Sequence, residues 1–287
     1  MSLTAVCKLC GNRGPFGEVW GEGDSETRHR IVRCPSCAFV FLENPPPRLE
    51  LKRFYQREWK EGSQEESYRR KAMGSAARII EQLEAYGKQG RLLDVGAGPC
   101  FYLKAAQERG WETYGVDLVP LSFNKKEEGH FFEGVLEEAH FPGNFFDACL
   151  VVHTLSHLLD PVGTLKEIHR VMKRKGILFV GIPHFLRRGA MKLPEEKYFS
   201  LIHDQHLYYF SPRTAKRMVE ESGFRILCLD TSHPIITGEQ VEKSHIPFAA
   251  SLGKISRRYG STLKKFLRFW SGKLWIGPTI SIWAEKP

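Results

Sequence analysis

Three sets of residues in this chain have types and spacings suited to chemistry. The first is Cys7, Cys10, Cys34 and Cys37, two C-x-x-C pairs separated by 23 residues. Each pair can turn two thiolates onto one tetrahedral ion, and a hairpin between them can bring the pairs together. That is the pattern of a structural zinc site. Four sulfur ligands leave no open position, so such a metal would hold structure rather than react. Gly11 and Ala38 follow the second cysteine of each pair, where a small residue eases a tight knuckle turn. The segment is too small to be held by its own core, so zinc is expected to supply its folding energy.

The second set is Leu92-Leu-Asp-Val-Gly-Ala-Gly98 followed by Tyr114-Gly-Val-Asp117. An apolar strand runs into a glycine turn, then a helix, then a second strand that ends in an acid. This is half of a nucleoside-binding α/β unit. The glycines let backbone approach a ligand, and the acid can take both ribose hydroxyls.

The third set is histidine. Imidazole titrates near neutral pH, which suits a general base. His157 is the first candidate. His206 closes His203-Asp-Gln-His206, where Asp204 could orient an imidazole, and Tyr208 and Tyr209 follow. His184 follows Pro183 at the end of an apolar run, and strand ends of this kind face the ligand crevice. His153 and His157 stand four apart and could share a soft metal, although two ligands make a thin site. Asp147 is expected to brace a strand, and Cys100 to be a buried thiol.

These residues need elements to hold them. Asn44-Pro-Pro-Pro47 ends the cysteine segment stiffly. Leu49–Trp59 and Ser67–Tyr86 read as helices, the second with an apolar stripe at Ala72, Ala76, Ile79, Ile80, Leu83 and Tyr86. From Arg91 strands and helices alternate. Strands are expected at Leu92–Val95, Glu112–Val116, Ala148–Val152, Gly176–Ile182, Phe224–Asp230 and Thr279–Glu285. Helices are expected at Tyr102–Arg109, Val162–Met172 and Pro212–Ser222. Alternation of this kind makes a mostly parallel sheet covered on both faces.

The formal net charge of +9 is concentrated in one segment. Between Lys243 and Ala284 there is no Asp or Glu, and eight Lys and Arg residues carry nearly all the excess. Leu252, Ile255, Tyr259, Leu263, Phe266, Leu267, Trp270 and Leu274 recur there at three- and four-residue steps. This predicts a cationic amphipathic helix, which either packs on its own domain, caps an anionic substrate, or lies on an anionic membrane through 252–274. No apolar run is long enough to span a bilayer, and the N-terminus lacks a basic and apolar leader. With seven cysteines, four of them in a metal pattern, a reducing cytoplasm is expected, with peripheral membrane contact.

Leu92–Gly98, Gly115-Val-Asp117, Phe146-Asp147, Leu165–Met172 with Lys175-Gly176, and Gly181-Ile-Pro-His184 resemble, in order, the motifs of class I S-adenosylmethionine-dependent methyltransferases. Gly134–Ala139 and His206–Pro212 with Gly223-Phe224 are similar to the branch related to ubiquinone-pathway O-methyltransferases. The resemblance implies that Gly96, Ala97 and Gly98 lie along the methionine part of the cofactor, with Asp94 supporting the turn. It implies that Asp117 holds the ribose, that Leu118 lies against adenine, and that Val135 and Leu136 flank the ring. His153 would face the sulfonium. The chain departs from the pattern at three places. Cys100 stands at the third glycine of the turn. Val135 stands where an acid often reads the adenine amine. His153-Thr-Leu-Ser-His157 replaces an E-x-x-E-H run, which removes the acids of a magnesium site.

The expected fold is therefore α/β, a Rossmann-like doubly wound and mostly parallel seven-stranded sheet with a small N-terminal zinc-ribbon domain. The expected divisions are 1–45 for the ribbon, 46–90 for a helical connector or lid, and 91–287 for the methyltransferase domain, with a basic insertion near 243–276. The expected activity is methyl transfer from S-adenosylmethionine to an oxygen of a small or lipid-linked substrate. Two other readings stay open. One is an RNA methyltransferase whose ribbon and basic helix grip phosphates. The other is a non-catalytic cofactor-binding or zinc-dependent interaction protein.

Overall fold

A computed structural model describes residues 5–22, 29–62, 66–87, 89–119, 130–185, 206–231 and 279–287. The basic segment 243–276 lies outside them, as do His203 and Asp204.

The first strands of the described chain are β1 (Gly17–Glu22), β2 (His29–Arg33) and β3 (Val40–Leu42), where the cysteine spacing predicts only a hairpin. Two helices follow. α1 (Arg48–Gly62) starts directly after the prolines, with Pro47 carbonyl accepting the first turn's amides. α2 (Glu66–Glu84) buries Ala72, Ala76, Ile79, Ile80 and Leu83 as the stripe predicts. Tyr86 lies beyond its end and stacks, half exposed, on Trp283.

The large sheet then builds in steps of strand and helix. β4 (Arg91–Val95), α3 (Phe101–Gln107), β5 (Glu112–Asp117) and β6 (His130–Glu133) come first. β7 (Phe146–Val152), α4 (Pro161–Val171) and β8 (Met172–Pro183) follow. Next are β9 (Tyr208–Tyr209), α5 (Pro212–Glu221), β10 (Arg225–Asp230) and β11 (Thr279–Glu285). Helix starts follow local chemistry. Pro161 and Pro212 occupy first-turn positions, where a missing N–H costs nothing. Ser211 and Thr214 form a reciprocal capping box on α5. Helix α4 stops one residue earlier than the apolar pattern suggests, because Met172 already pairs with Phe146 in the sheet.

Seven strands form one sheet in the order β10-β11-β8-β7-β4-β5-β6. Pairings from β6 through β8 are parallel, and β11 runs antiparallel between β8 and β10. The Rossmann-like, mostly parallel expectation is met. Alternate residues feed two cores. Leu92, Ala148, Leu150 and Val152 pack under α2 and α3, while Leu93, Cys149 and Val151 face α4 and α5. Strand order reverses between β5 and β7 about β4, so a crevice opens at the carboxyl ends of β4 and β5.

The N-terminal strands are not closed on themselves. A second sheet runs β1-β2-β3-β9, so Tyr208 and Tyr209, from far along the chain, pair with Phe41 and Val40. Ile31, Val32, Phe39 and Phe41 share one core with Val151, Ile182 and Phe210.

Candidate functional site

The glycine turn leaves β4 at Gly96, whose φ of 75° lies in the left-handed region. A Cβ there would stand 2.2 Å from Thr154 Oγ1, so only glycine fits. Gly96 and Ala97 donate to Val116 carbonyl, which ties the turn to the end of β5. Cys100 caps α3 at φ 55° and is buried. The departure from the glycine pattern thus keeps a glycine-like backbone, with the thiol directed to Gly98 carbonyl at 3.5 Å.

Asp117 ends β5. Its Oδ2 accepts from Gly98 N–H at 2.8 Å, and its Oδ1 from Val119 N–H at 2.9 Å. Burial pushes its pKa up, and these backbone donors oppose that shift. Asp94 is 1% exposed, and its Oδ2 has no hydrogen-bond partner. Burial, with a smaller push from the Asp117 charge, raises its carboxyl to about 8. Two acids, one of them carrying an orphaned buried oxygen, thus lie beside the turn.

Leu118 is half-buried just past β5. Val135 is half-buried at the start of a 3-10 turn, Leu136–Glu138, while Leu136 itself is buried in the core. His153 leaves β7 in the left-handed region at φ 56°, its N–H on Gly181 carbonyl. A second 3-10 turn, Leu155–His157, follows, so His153 and His157 do not share a regular helix.

His157 and His206 come together. Their ring centroids are 4.5 Å apart, and Phe185 packs on His206 at 4.5 Å. His184 is buried at the carboxyl end of β8. The segment after His206 turns into β9 and joins the N-terminal sheet.

Tyr55 is a residue that no motif in the sequence singles out. It projects from α1, and its hydroxyl lies 3.0 Å from His157 Nδ1. Burial and the nearby Asp117 charge push its pKa well above the ordinary phenol value. Arg48 pairs with Glu138 at 2.5 Å and Lys52 with Glu133 at 2.9 Å, so α1 is laid across this end of the sheet. These pairs are exposed and contribute little stability; they mark the edge of the sheet against which α1 lies. The available signal is an aromatic residue on a helix otherwise rich in charge. No periodicity argument tells which loop such a residue will meet.

The sulfurs of Cys7, Cys10, Cys34 and Cys37 lie within 4.8 Å of one another. Each pair forms the same knuckle: Gly11 N–H donates to Cys7 carbonyl at 2.8 Å, and Ala38 N–H to Cys34 carbonyl at 2.9 Å. Gly11 and Ala38 are both left-handed, at φ 74° and 61°. Among the described residues this is the one cluster of three or more potential ligands. Asp147 braces, as expected, by accepting from Arg91 N–H and from Lys173.

No curated protein matches the sequence. The Burkholderia thailandensis 1,6-didemethyltoxoflavin-N1-methyltransferase, solved with S-adenosylhomocysteine, shares 15% identity at a TM-score of 0.54, covering 93% of this chain and 98% of that one. An S-adenosylmethionine-dependent methyltransferase of Thermotoga maritima shares 18% identity at a TM-score of 0.50, covering 83% and 98%. At such identities these likenesses speak for the fold. The family model for a methyltransferase domain matches residues 66–229, more than half of the chain, a span that includes the glycine turn and Asp117. With that match laid over a sheet whose crevice gathers Gly96, Asp117 and His157, the chain belongs to the methyltransferase domain family.

Proposed function

We propose that this protein transfers a methyl group from S-adenosylmethionine to an oxygen of a small or lipid-linked acceptor. The observation that carries the reading is Tyr55. It bonds His157 and lies within electrostatic reach of Asp117, so the nucleoside-binding acid and the histidine pair open on one crevice. The sulfonium of the cofactor supplies the leaving group, and the protein's share of the work is alignment and proton handling.

The residues fit that cofactor. Each Asp117 oxygen already accepts one backbone N–H and has a further lone pair, enough for two vicinal hydroxyls. The orphaned Asp94 oxygen, buried and raised, suits a cationic ligand lying along Gly96–Gly98. Leu118 and Val135 offer apolar surface to an adenine ring, and His153 would border the reacting centre.

His157 is the proposed base. Tyr55 retains its proton because burial and Asp117 disfavour the phenolate. Its hydroxyl can therefore donate to Nδ1 while its oxygen accepts from an acceptor hydroxyl, so that Tyr55 gives its own proton to the imidazole and takes the acceptor's in its place. His206 and Phe185 complete an aromatic wall that keeps water from the reacting groups. His184 is a third candidate from its place at the end of β8. A structural zinc is proposed for the four cysteines, a set with the sulfur number, closeness and knuckle turns such an ion requires. The division into ribbon, lid helices and methyltransferase domain belongs to this reading, as does contact of 252–274 with anionic membrane. Among the described residues no helix is long and apolar enough to cross a membrane.

Calorimetry with S-adenosylmethionine tests the cofactor directly, and absence of binding would sink the reading. Incubation of cell extract with protein and labelled cofactor tests the acceptor. A labelled product stable to base but carrying no O-methyl group would overturn the choice of oxygen.

A further inference from the structure

The two histidines stand on separate segments, some fifty residues apart in sequence, and something must hold them in contact. The hydrogen bond that does so is specific. Leu207 N–H donates to Ser156 carbonyl at 2.8 Å. That amide belongs to the peptide joining His206 to Leu207, and that carbonyl to the peptide joining Ser156 to His157. The bond thus links the two peptide units from which the rings project.

The next peptide unit, which joins Leu207 to Tyr208, is held by the cysteine module. Leu207 carbonyl accepts from Leu42 N–H at 2.8 Å, and β3 continues the pairing through Phe41–Tyr208 and Val40–Tyr209. Phe39, fully buried, stacks on Tyr208 at 5.7 Å with planes 5° apart and packs on Phe210 at 5.1 Å. The Phe39 carbonyl accepts from Cys34 N–H at 2.9 Å, so the second knuckle itself fixes Phe39. Tyr208 reaches on to donate its hydroxyl to Leu159 carbonyl at 3.1 Å, just past His157. A continuous set of contacts therefore runs from the Cys34 knuckle through Phe39 and Tyr208 to both histidine-bearing segments.

We propose that the four-cysteine module is a positioning element for the histidine pair, with Phe39 and Tyr208 as its positioning residues. A module that only capped the chain could sit anywhere on the surface. Here its sheet is incomplete without β9, and β9 follows His206 by one residue. An ion held by the four sulfurs would fix the knuckle and so the register of β3 against β9. Loss of the ion, or oxidation of the thiols to disulfides by an added oxidant, would release that register while leaving Asp117 and the glycine turn in place. The inference rests on the proposed function only in calling these histidines catalytic. The contacts stand without it.

The test is amide hydrogen exchange on the full-length protein, with and without a strong zinc chelator, alongside calorimetry with S-adenosylhomocysteine. Removing the metal is expected to speed exchange at Leu207 and Leu42 about tenfold or more, the loss of a buried hydrogen bond, with nucleoside affinity kept within about threefold. Retained protection at Leu207 would overturn the proposal. Should the stripped protein unfold outright, the metal-loaded variants carry the test. Tyr208→Leu should lose Leu207 protection and shift the imidazole NMR titration of His206, while Tyr208→Phe, which keeps the stack, should restore both. Equal behaviour of the two variants would also overturn it. If the unaltered protein binds no S-adenosylhomocysteine, the methyltransferase reading fails, and the exchange result still decides the positioning role.

Discussion

The Tyr55 hydroxyl, on a helix that precedes the large sheet, lies 3.0 Å from Nδ1 of His157, in a turn that follows β7. This contact brings α1 against the candidate site. Tyr55→Phe keeps the ring packing and removes the relay oxygen. Methyl transfer is expected to fall about a hundredfold, within the usual range for general acid–base assistance, while cofactor affinity stays unchanged. Labelled-methyl turnover and calorimetry together read the split. Unaltered turnover would remove Tyr55 from the proton path.

Asp117 holds the turn, its oxygens accepting the Gly98 and Val119 amides, and in the proposed function it also takes the ribose hydroxyls. Asp117→Ala should abolish detectable cofactor binding. Asp117→Asn, which retains one acceptor oxygen, should weaken it less. Retained affinity in the alanine variant would mean that the nucleoside lies elsewhere.

Asp94 predicts a pH dependence with a defined sign. Its carboxyl is raised to about 8 in the folded protein, above the ordinary value near 4 it regains on unfolding. The folded state therefore holds the extra proton between those values, and stability falls as pH rises through that window. The ligand-free protein should melt lower at pH 8 than at pH 6, and Asp94→Asn should flatten that slope. A cation placed beside Asp94 favours its ionised form, so S-adenosylmethionine binding near pH 7 should release protons. Calorimetry in buffers of different ionisation enthalpy measures that release.

The turn itself gives opposite predictions at two positions. Gly96→Ala drives a Cβ into Thr154 at a left-handed φ and should cost about 1–3 kcal/mol by denaturant unfolding, along with cofactor affinity. Cys100 already carries a side chain at φ 55°. Cys100→Gly relieves that conformation and removes a buried thiol contact, so the net change should stay within about 1 kcal/mol of zero.

The cysteine cluster predicts one zinc per chain, read by metal analysis after dialysis. Cys34→Ser should lower both the zinc content and the melting temperature. Zinc-free protein of unchanged melting temperature would show that the module's share of the common core is sufficient without metal.

Much of this molecule is written in local pattern. Leu92–Gly98 and Asp117 specify strand, turn and acid because glycine alone tolerates the backbone at Gly96, and an apolar run flanked by helices must be a buried parallel strand. The C-x-x-C pairs specify a knuckle because the turn geometry is contained in five residues. The stripe on α2 and the prolines opening α4 and α5 are equally local.

What the tertiary structure decided is where distant segments meet. In the sequence Tyr208 and Tyr209 are only two aromatic residues after a candidate histidine, yet they form the last strand of a sheet begun by Gly17–Glu22. No periodicity marks a two-residue strand, since its partner is chosen by the shape of the shared core rather than by its own sequence. For the same reason His157 and His206 could be named singly but not paired, and Tyr55 could not be named at all. Their contacts depend on the register of β3 against β9 and on the path of α1, and both are set only once the whole core has closed.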